Sequence, residues 1–523
     1  MKYLKAINLM IKYKKNSASK IICIFFLTVF GFGLILIYCN RDTLKDMLKC
    51  YNKDYGIAHI TRSQMDSFSN SLDTEAFRAP KYNQKELMKD VPKSKTWDSE
   101  SQTMKKVPVW DSWPVTNPDG TVADYHGYRL VIGLTSIGAR SDVGGAHLGL
   151  YSQRIDADSN DINSWEYLGN VFDSFGEGKN SSSDQSLNQM KSEWSGSTIL
   201  FHQNDDTLRL FYTNAMATGA DNQAQALTTA QITVVPKNGL DWKSGLTINH
   251  SKATDNKTIF LGDGRIYQTV DQAKQKEGDF YNSFAMRDPH FVEENGKYYL
   301  LFETSTSDKY GAEGENNLNN QAYYGSYVYF KNERKRLLKE RDSLEFKKAF
   351  YGNAAIGMVE LNKDFTVKKV MKPLLTANAT HDVIERPNVF KYKGKYYLFT
   401  CLSADKFATN GKQFRNQSYL LGYSSDSLEG KYEPLNGNGL VLSSSTVKGI
   451  SNYTYSFLAL KPNKNEKNIV ITSFANNETF APSYIMNIKN NKTKLLNDRL
   501  LGQGALVDNG KYFKTVPQTK YNG

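Results

Sequence analysis

Four cysteines serve 523 residues. Cys23 and Cys39 lie in or beside one apolar run, so only Cys50 and Cys401 remain, far apart along the chain. That leaves no disulfide framework. Neither C-x-x-C nor H-E-x-x-H occurs, which argues against zinc chemistry. Positive charge is scarce where nucleic acid would need it. The formal net charge is +12, yet Lys2, Lys5, Lys12, Lys14, Lys15 and Lys20 already supply six positives in the first 20 residues. The remainder is mildly basic and has no Arg/Lys run interleaved with aromatics, so no nucleic-acid partner is expected. Long hydrophobic runs are missing too, except for "IICIFFLTVFGFGLILIY" at 21–38.

That run is uncharged, long enough to span a bilayer, and preceded by the lysine cluster. The lysines assign residues 1–20 to the cytoplasmic side. No A-x-A cleavage site follows, and bulky Tyr38 before Cys39 makes a poor lipoprotein signal. The sequence therefore predicts a transmembrane helix over 21–38, anchoring a chain that lies outside the membrane. An atypical cleaved signal, giving a secreted protein, is the alternative. Residues 39–106 are polar and irregular and read as a stalk plus an extension wrapping the domain. A folded domain is expected over 107–515.

What is present in that domain is aromatic and strand-like. Phe, Trp and Tyr make up 12% of the chain, with 32 Tyr and 27 Phe. Runs such as "YRLVIGL" (128–134), "TLRLFYTN" (207–214), "KYYLLFET" (297–304) and "KYYLFTC" (395–401) alternate with Gly/Asn/Asp turns. They have strand length, not helix length. One segment, "NERKRLLKERDSLEFKKAF" (332–350), has helical spacing and heavy charge, and reads as a solvated surface helix.

A repeat organises the strands. "RDPHFVEENGKYYLLFETS" begins at Arg287 and "ERPNVFKYKGKYYLFTCLS" at Glu385. Looser versions begin at Trp110, in "VPVWDSWP", and at Glu193, in "EWSGSTILF". Recurrence of a β-meander suggests radial repetition, a β-propeller; an array of β-sandwiches explains the strands but not the recurring charges. In a propeller the opening residues converge on one axis: Asp111, Glu193 with Trp194, Arg287 with Asp288, and Glu385 with Arg386. Carboxylates, arginines and indoles together suit a sugar. Indole faces pack on sugar rings, carboxylates and guanidinium forks bond hydroxyls, and glycosidic cleavage needs a carboxylic acid and a carboxylate across the bond. Taken singly, each motif is equally compatible with a turn or a structural ion pair. Proline after Asp288 and Arg386 would hold both extended.

These residues resemble the bacterial levansucrases and inulosucrases of glycoside hydrolase family 68. The resemblance is carried by "HITRSQM" (59–65), "VWDSWPVTNPDGTVADYHGY" (109–128), "EWSGS" (193–197), "GDGRIYQ" (262–268), "RDPHFVEENGKYY" (287–299), "DVIERPNVFKYKGKYYLFT" (382–400) and "FAPSYIMNIK" (480–489). It implies a five-bladed β-propeller with a central axial pocket, and a monomer that moves fructose from sucrose to fructan, another sugar or water. It implies Asp111 as nucleophile, Asp288 as transition-state stabiliser and Glu385 as acid/base. Trp110, Trp194, Ser195, Arg287, Glu303, Arg386 and Tyr455 are implied as substrate contacts, the tryptophans walling the sugar. A structural Ca²⁺ is implied at Asn282, Glu313, the carbonyl of Tyr351, Asn353 and Asp382, with Asn282 and Glu313 departing from the usual Asp and Gln. A further departure is Val383 and Ser403, where related enzymes commonly carry Glu and Arg on the glucosyl or acceptor side. A mainly hydrolytic β-fructosidase, an inulosucrase and a non-catalytic glycan-binding propeller are the competing readings.

Overall fold

The computed structural model describes residues 22–24, 36–38 and 56–516, apart from 73–74, 100, 139–144, 173–191, 216–223, 275–283, 311–312, 412–413, 415, 447–452, 465 and 476–477. The chain divides into two compact units, Met1–Tyr55 and Gly56–Gly523. In the first, Ile22–Ile24 pairs antiparallel with Leu36–Tyr38. The expected transmembrane helix otherwise lies outside the described residues; its two described ends are strands. Strand pairing satisfies backbone N–H and C=O groups as a helix would. Among the described residues no helix is long and apolar enough to cross a membrane.

The second unit is built from antiparallel meanders, whose opening strands are numbered here. β1 (Val109–Thr116) leads into Tyr128–Thr135, His147–Arg154 and Trp165–Asn170. β2 (Ser192–Ile199) leads into Thr207–Ala215 and Gln225–Pro236. β3 (Met286–Glu294) is followed by Lys297–Ser305 and Ala354–Leu361. β4 (Glu385–Tyr392) is followed by Lys395–Ser403 and Gln417–Ser425. β5 (Thr454–Leu460) is followed by Ile469–Ala475 and Tyr484–Lys489. The opening strands neighbour one another in the order β1 to β5, and β5 lies beside β1.

The strands do not alternate cleanly between buried and exposed residues. Lys395–Ser403 is buried at every position but its two ends, because successive sheets pack face to face and cover both sides. The core lies between those sheets. Phe211 stacks on Phe291 with ring centres 5.0 Å apart, Leu301 shares a cluster with Leu398, and Phe399 with Ile471.

Residues 56–106 belong to this unit, so the boundary expected at 107 falls inside it. Ala58–His59 adds a parallel strand to Leu375–Thr376, in the sheet of β3. Helix α1 (Arg62–Leu72) follows and buries Met65 and Phe68 completely. The charged segment 332–350 is not one solvated helix. It forms α2 (Tyr327–Lys339) and α3 (Leu344–Tyr351), with Ser343 Oγ capping α3 by accepting from the Phe346 N–H at 3.1 Å. Glu333, Leu337 and Glu345 face inward because Arg62, wholly buried on α1, ion-pairs with both glutamates at 2.7 and 2.9 Å.

Candidate active site

Each opening strand breaks its ladder near its start. The register slips between Trp110 and Trp113, Trp194 and Gly196, Arg287 and His290, Glu385 and Asn388, and Tyr455 and Leu458. Such a bulge leaves residues unpaired and re-aims their side chains. At four of the slips the backbone is left-handed: Asp111 at φ 41°, Asp288 at 57°, Arg386 at 53° and Ser456 at 60°. Asp288 and Arg386 are therefore not held extended by the prolines that follow them. The bulge overrides that preference, and it tolerates Pro289 and Pro387 because a slipped position needs no ladder N–H.

Hydrogen bonds join the bulges in a circuit. Ser195 Oγ donates to Asp111 Oδ2 at 3.5 Å. Arg386 donates through Nη2 to the Ser112 carbonyl at 2.7 Å and through its backbone N–H to Asp288 Oδ2 at 2.9 Å. The Asp288 N–H donates to Thr213 Oγ1 at 2.9 Å, and Thr213 donates to the Ser195 carbonyl at 3.2 Å. Arg287 forks Glu303 through Nε and Nη2, at 2.9 and 2.8 Å, and Nη2 lies 3.8 Å from Glu385 Oε1. Tyr455 donates its phenol to Glu385 Oε2.

Burial holds two of the carboxyl groups, Glu385 and Asp288, above their usual range. Burial pushes Glu385 up to about 7; the charges of Asp288 and Asp111 add to the rise, while Arg287 and the Tyr455 bond oppose it. Its side chain keeps 25% exposure, so it reaches solvent from a protein-lined position. Burial also raises Asp288, against Arg287 and Arg386. Asp111 Oδ1 and Arg386 Nη1 are buried yet have no hydrogen-bond partner among the described residues. Such orphans in a native fold ask for a ligand.

The bulges and these bonds bring together Asp111, Ser195, Arg287, Asp288, Glu303, Glu385, Arg386 and Tyr455. Trp194 stands beside its bulge, partly buried, with Nε1 donating to Ser192 Oγ at 2.8 Å. Trp110 is 1% exposed and Trp113 2%. Trp113 is no sugar wall: it is packed in the core, and its Nε1 donates to Thr198 Oγ1 at 2.9 Å. Glu193 was expected beside Trp194, but its Oε2 accepts the Leu148 N–H at 2.9 Å, so it serves the neighbouring meander. Two residues of the circuit and its bulges escaped the sequence reading. Thr213 gives no local signal. Ser456 could have been found by extending the repeat to a fifth unit at "TYSFLAL".

Of the residues implied for calcium, Asn282 lies outside the described residues. Asp382 is buried and accepts the Asn353 N–H at 3.2 Å. The Asn353 amide is turned to Thr306, its Oδ1 accepting from N–H and hydroxyl at 3.1 and 2.7 Å. Among the described residues no three His, Cys, Asp or Glu side chains form a metal-ligating group.

Carboxyl groups set among arginines at the convergence of bulged strands, with Glu385 pushed up to about 7, are what breaking a glycosidic bond requires. The molecule is of the carboxylate-dependent glycoside hydrolase class. Within that class the chain belongs to glycoside hydrolase family 68, the levansucrase/invertase family, whose profile matches residues 51–506. The levansucrase of Bacillus amyloliquefaciens is 39% identical over 473 residues, covering 88% of this chain and 93% of that one. A protein of Geobacillus stearothermophilus named inactive levansucrase is 38% identical over 474 residues, with the same coverage of each chain. A crystal structure of a B. megaterium levansucrase mutant superposes with a TM-score of 0.78 at 37% identity, covering 87% of this chain and 98% of that one.

Proposed function

We propose that the protein is a retaining, sucrose-dependent fructosyltransferase, passing fructose to a fructan, another sugar or water. The meeting of Asp111, Asp288 and Glu385 among two arginines carries this reading. Glu385, raised to about 7, holds a proton near neutrality and gives it to the glycosidic oxygen, so glucose leaves. Asp111, with Oδ1 free of donors, bonds the anomeric carbon to form a fructosyl ester. Asp288 faces the positive charge that develops on the sugar. An incoming hydroxyl then attacks that carbon, its proton passes to the Glu385 carboxylate, and Asp111 is released. Arg287, Arg386, Ser195 and Trp194 orient the fructosyl unit, with Trp110 behind Asp111 and Tyr455 fixing Glu385. A binding module would have no use for such a set of carboxyl groups. We read the meanders as the five blades of a propeller whose axis holds this pocket.

Three further elements belong to the proposal. With Val383 and Ser403 the non-fructosyl side of the pocket lacks the Glu and Arg that related enzymes commonly carry there, which favours free fructose and short oligomers over long polymer. A calcium ion would be held by the oxygens of Asp382, Glu313 and Tyr351, Asn353 bracing the loop against Thr306; bound, it would rigidify these loops. The apolar run at 21–38 and the lysines before it support a location outside the cell, anchored at the membrane or secreted if the segment is cleaved.

The test is a product profile from sucrose. The purified chain should release glucose in excess of free fructose. Asp111→Ala, with an unchanged far-UV spectrum, should release neither. Glucose release that survives this substitution would overturn the assignment of the nucleophile.

A further inference from the structure

The ladder between β4 and the next strand ends at the pair Glu385–Cys401. Continued in register past Ile384 and Leu402, the second pair beyond it would set Val383 against Ser403, but the ladder does not extend that far. A side chain takes its place. His381 is wholly buried. Its Nδ1 accepts the Val383 N–H at 3.0 Å, and its Nε2 lies 2.8 Å from the Ser403 carbonyl. The first bond requires Nδ1 to be bare, so the ring is neutral with its proton on Nε2, which donates to Ser403. Both backbone groups would otherwise be unpaired at the end of a sheet. The ring is fixed from the side by Phe407, edge-on at 4.7 Å. The same two loops are tied again one layer deeper. Ala408 N–H donates to the Thr380 carbonyl at 2.8 Å, and Arg62 Nη1 donates to the carbonyls of Ala379 and Ala408 at 2.8 and 3.0 Å.

We propose that His381 is a positioning residue that sets the acceptor side of the pocket by tying the backbone of Val383 to that of Ser403. The inference rests on the fructosyl-transfer reading above. There Glu385 protonates the departing oxygen and later takes the proton of the incoming hydroxyl, so both partners occupy the volume beside it. The backbone two residues before Glu385, and the strand end facing it, border that volume. The fructosyl side is held by other residues, so His381 governs who receives fructose more than whether sucrose is cleaved.

The test compares His381→Ala, His381→Asn and His381→Gln in the full chain. Asn keeps an acceptor where Nδ1 stood; Gln brings an amide N–H to the place of Nε2. Released glucose and free fructose give the ratio of transfer to hydrolysis, and amide hydrogen exchange reports on residues 379–390 and 400–408. The Ala and Asn variants should lower the ratio about three- to ten-fold, the scale of one lost buried hydrogen bond. Sucrose cleavage should stay within about two-fold, and exchange should quicken around Ser403. Gln should restore most of both. A ratio unmoved in all three, with only the melting temperature reduced, would show a merely structural role and overturn the proposal. Should Ala fail to fold, the contrast between Asn and Gln decides alone. A parent chain that releases no glucose from sucrose would fell the functional reading, and the exchange data would still decide whether the tie exists.

Discussion

At the scale of single residues, Glu385 sets the pH behaviour. As the acid it must carry its proton, so kcat/KM for sucrose should fall as pH rises through about 7, by up to tenfold per unit beyond. Its folded value lies above the unfolded one of about 4.3. Its contribution to stability is therefore complete below about pH 4 and lost as pH rises through about 7. Glu385→Gln should abolish the limb in kcat/KM and flatten the melting temperature between these limits; a melting curve with unchanged pH dependence would deny the shift. A second expectation concerns Val383 and Ser403. Introducing Val383→Glu and Ser403→Arg together should raise the transfer-to-hydrolysis ratio, whereas either alone leaves a poorly compensated charge. Product profiles of the three variants check this. Asp111, Asp288 and Glu385 were legible in the sequence because a repeat put charged residues at its entry. Glu193 shares that entry yet accepts from Leu148 in the preceding meander, a choice of direction that residue type does not encode.

At the scale of elements, the bulge is the working unit. A regular ladder would send successive side chains to opposite faces; the slip re-aims one residue of each opening strand. Gly196 shows how tight this is. A Cβ there would lie 1.9 Å from the Phe211 carbonyl oxygen, so Gly196→Ala must push the bulge out of register. The expected outcome is loss of sucrose cleavage with a marked drop in melting temperature. An active, equally stable variant would show that β2 can shift without harm. Strands were readable from length and aromatic content, but bulges were not. Prolines at 289 and 387 suggested extended backbone, and only the crossing of neighbouring sheets makes the left-handed alternative pay. The charged helix was readable as a helix. Its break before Ser343 and its inward glutamates were not, since their partner, Arg62, lies far away in sequence.

At the scale of the whole molecule, the start of the domain is locked to its middle. Arg62→Ala would leave Glu333 and Glu345 as buried carboxylates with reduced compensation, a loss of about 3–5 kcal/mol by urea unfolding. Arg336 moderates this, since it also pairs with both. A loss below about 1 kcal/mol would mean Arg336 alone suffices. Composition shift places the domain start at 107, because polar residues dominate 56–106; yet apolar anchors there, Ile60, Met65 and Phe68 among them, are buried in a core supplied by later segments. This lock also has a meaning in time. His59 bonds Thr376, 317 residues further on. At about 5–20 residues per second of synthesis, the partner of the first strand emerges some 15–60 seconds after it. Until then the strand Ala58–His59 lacks the strand it pairs with, so this sheet cannot be completed from its beginning.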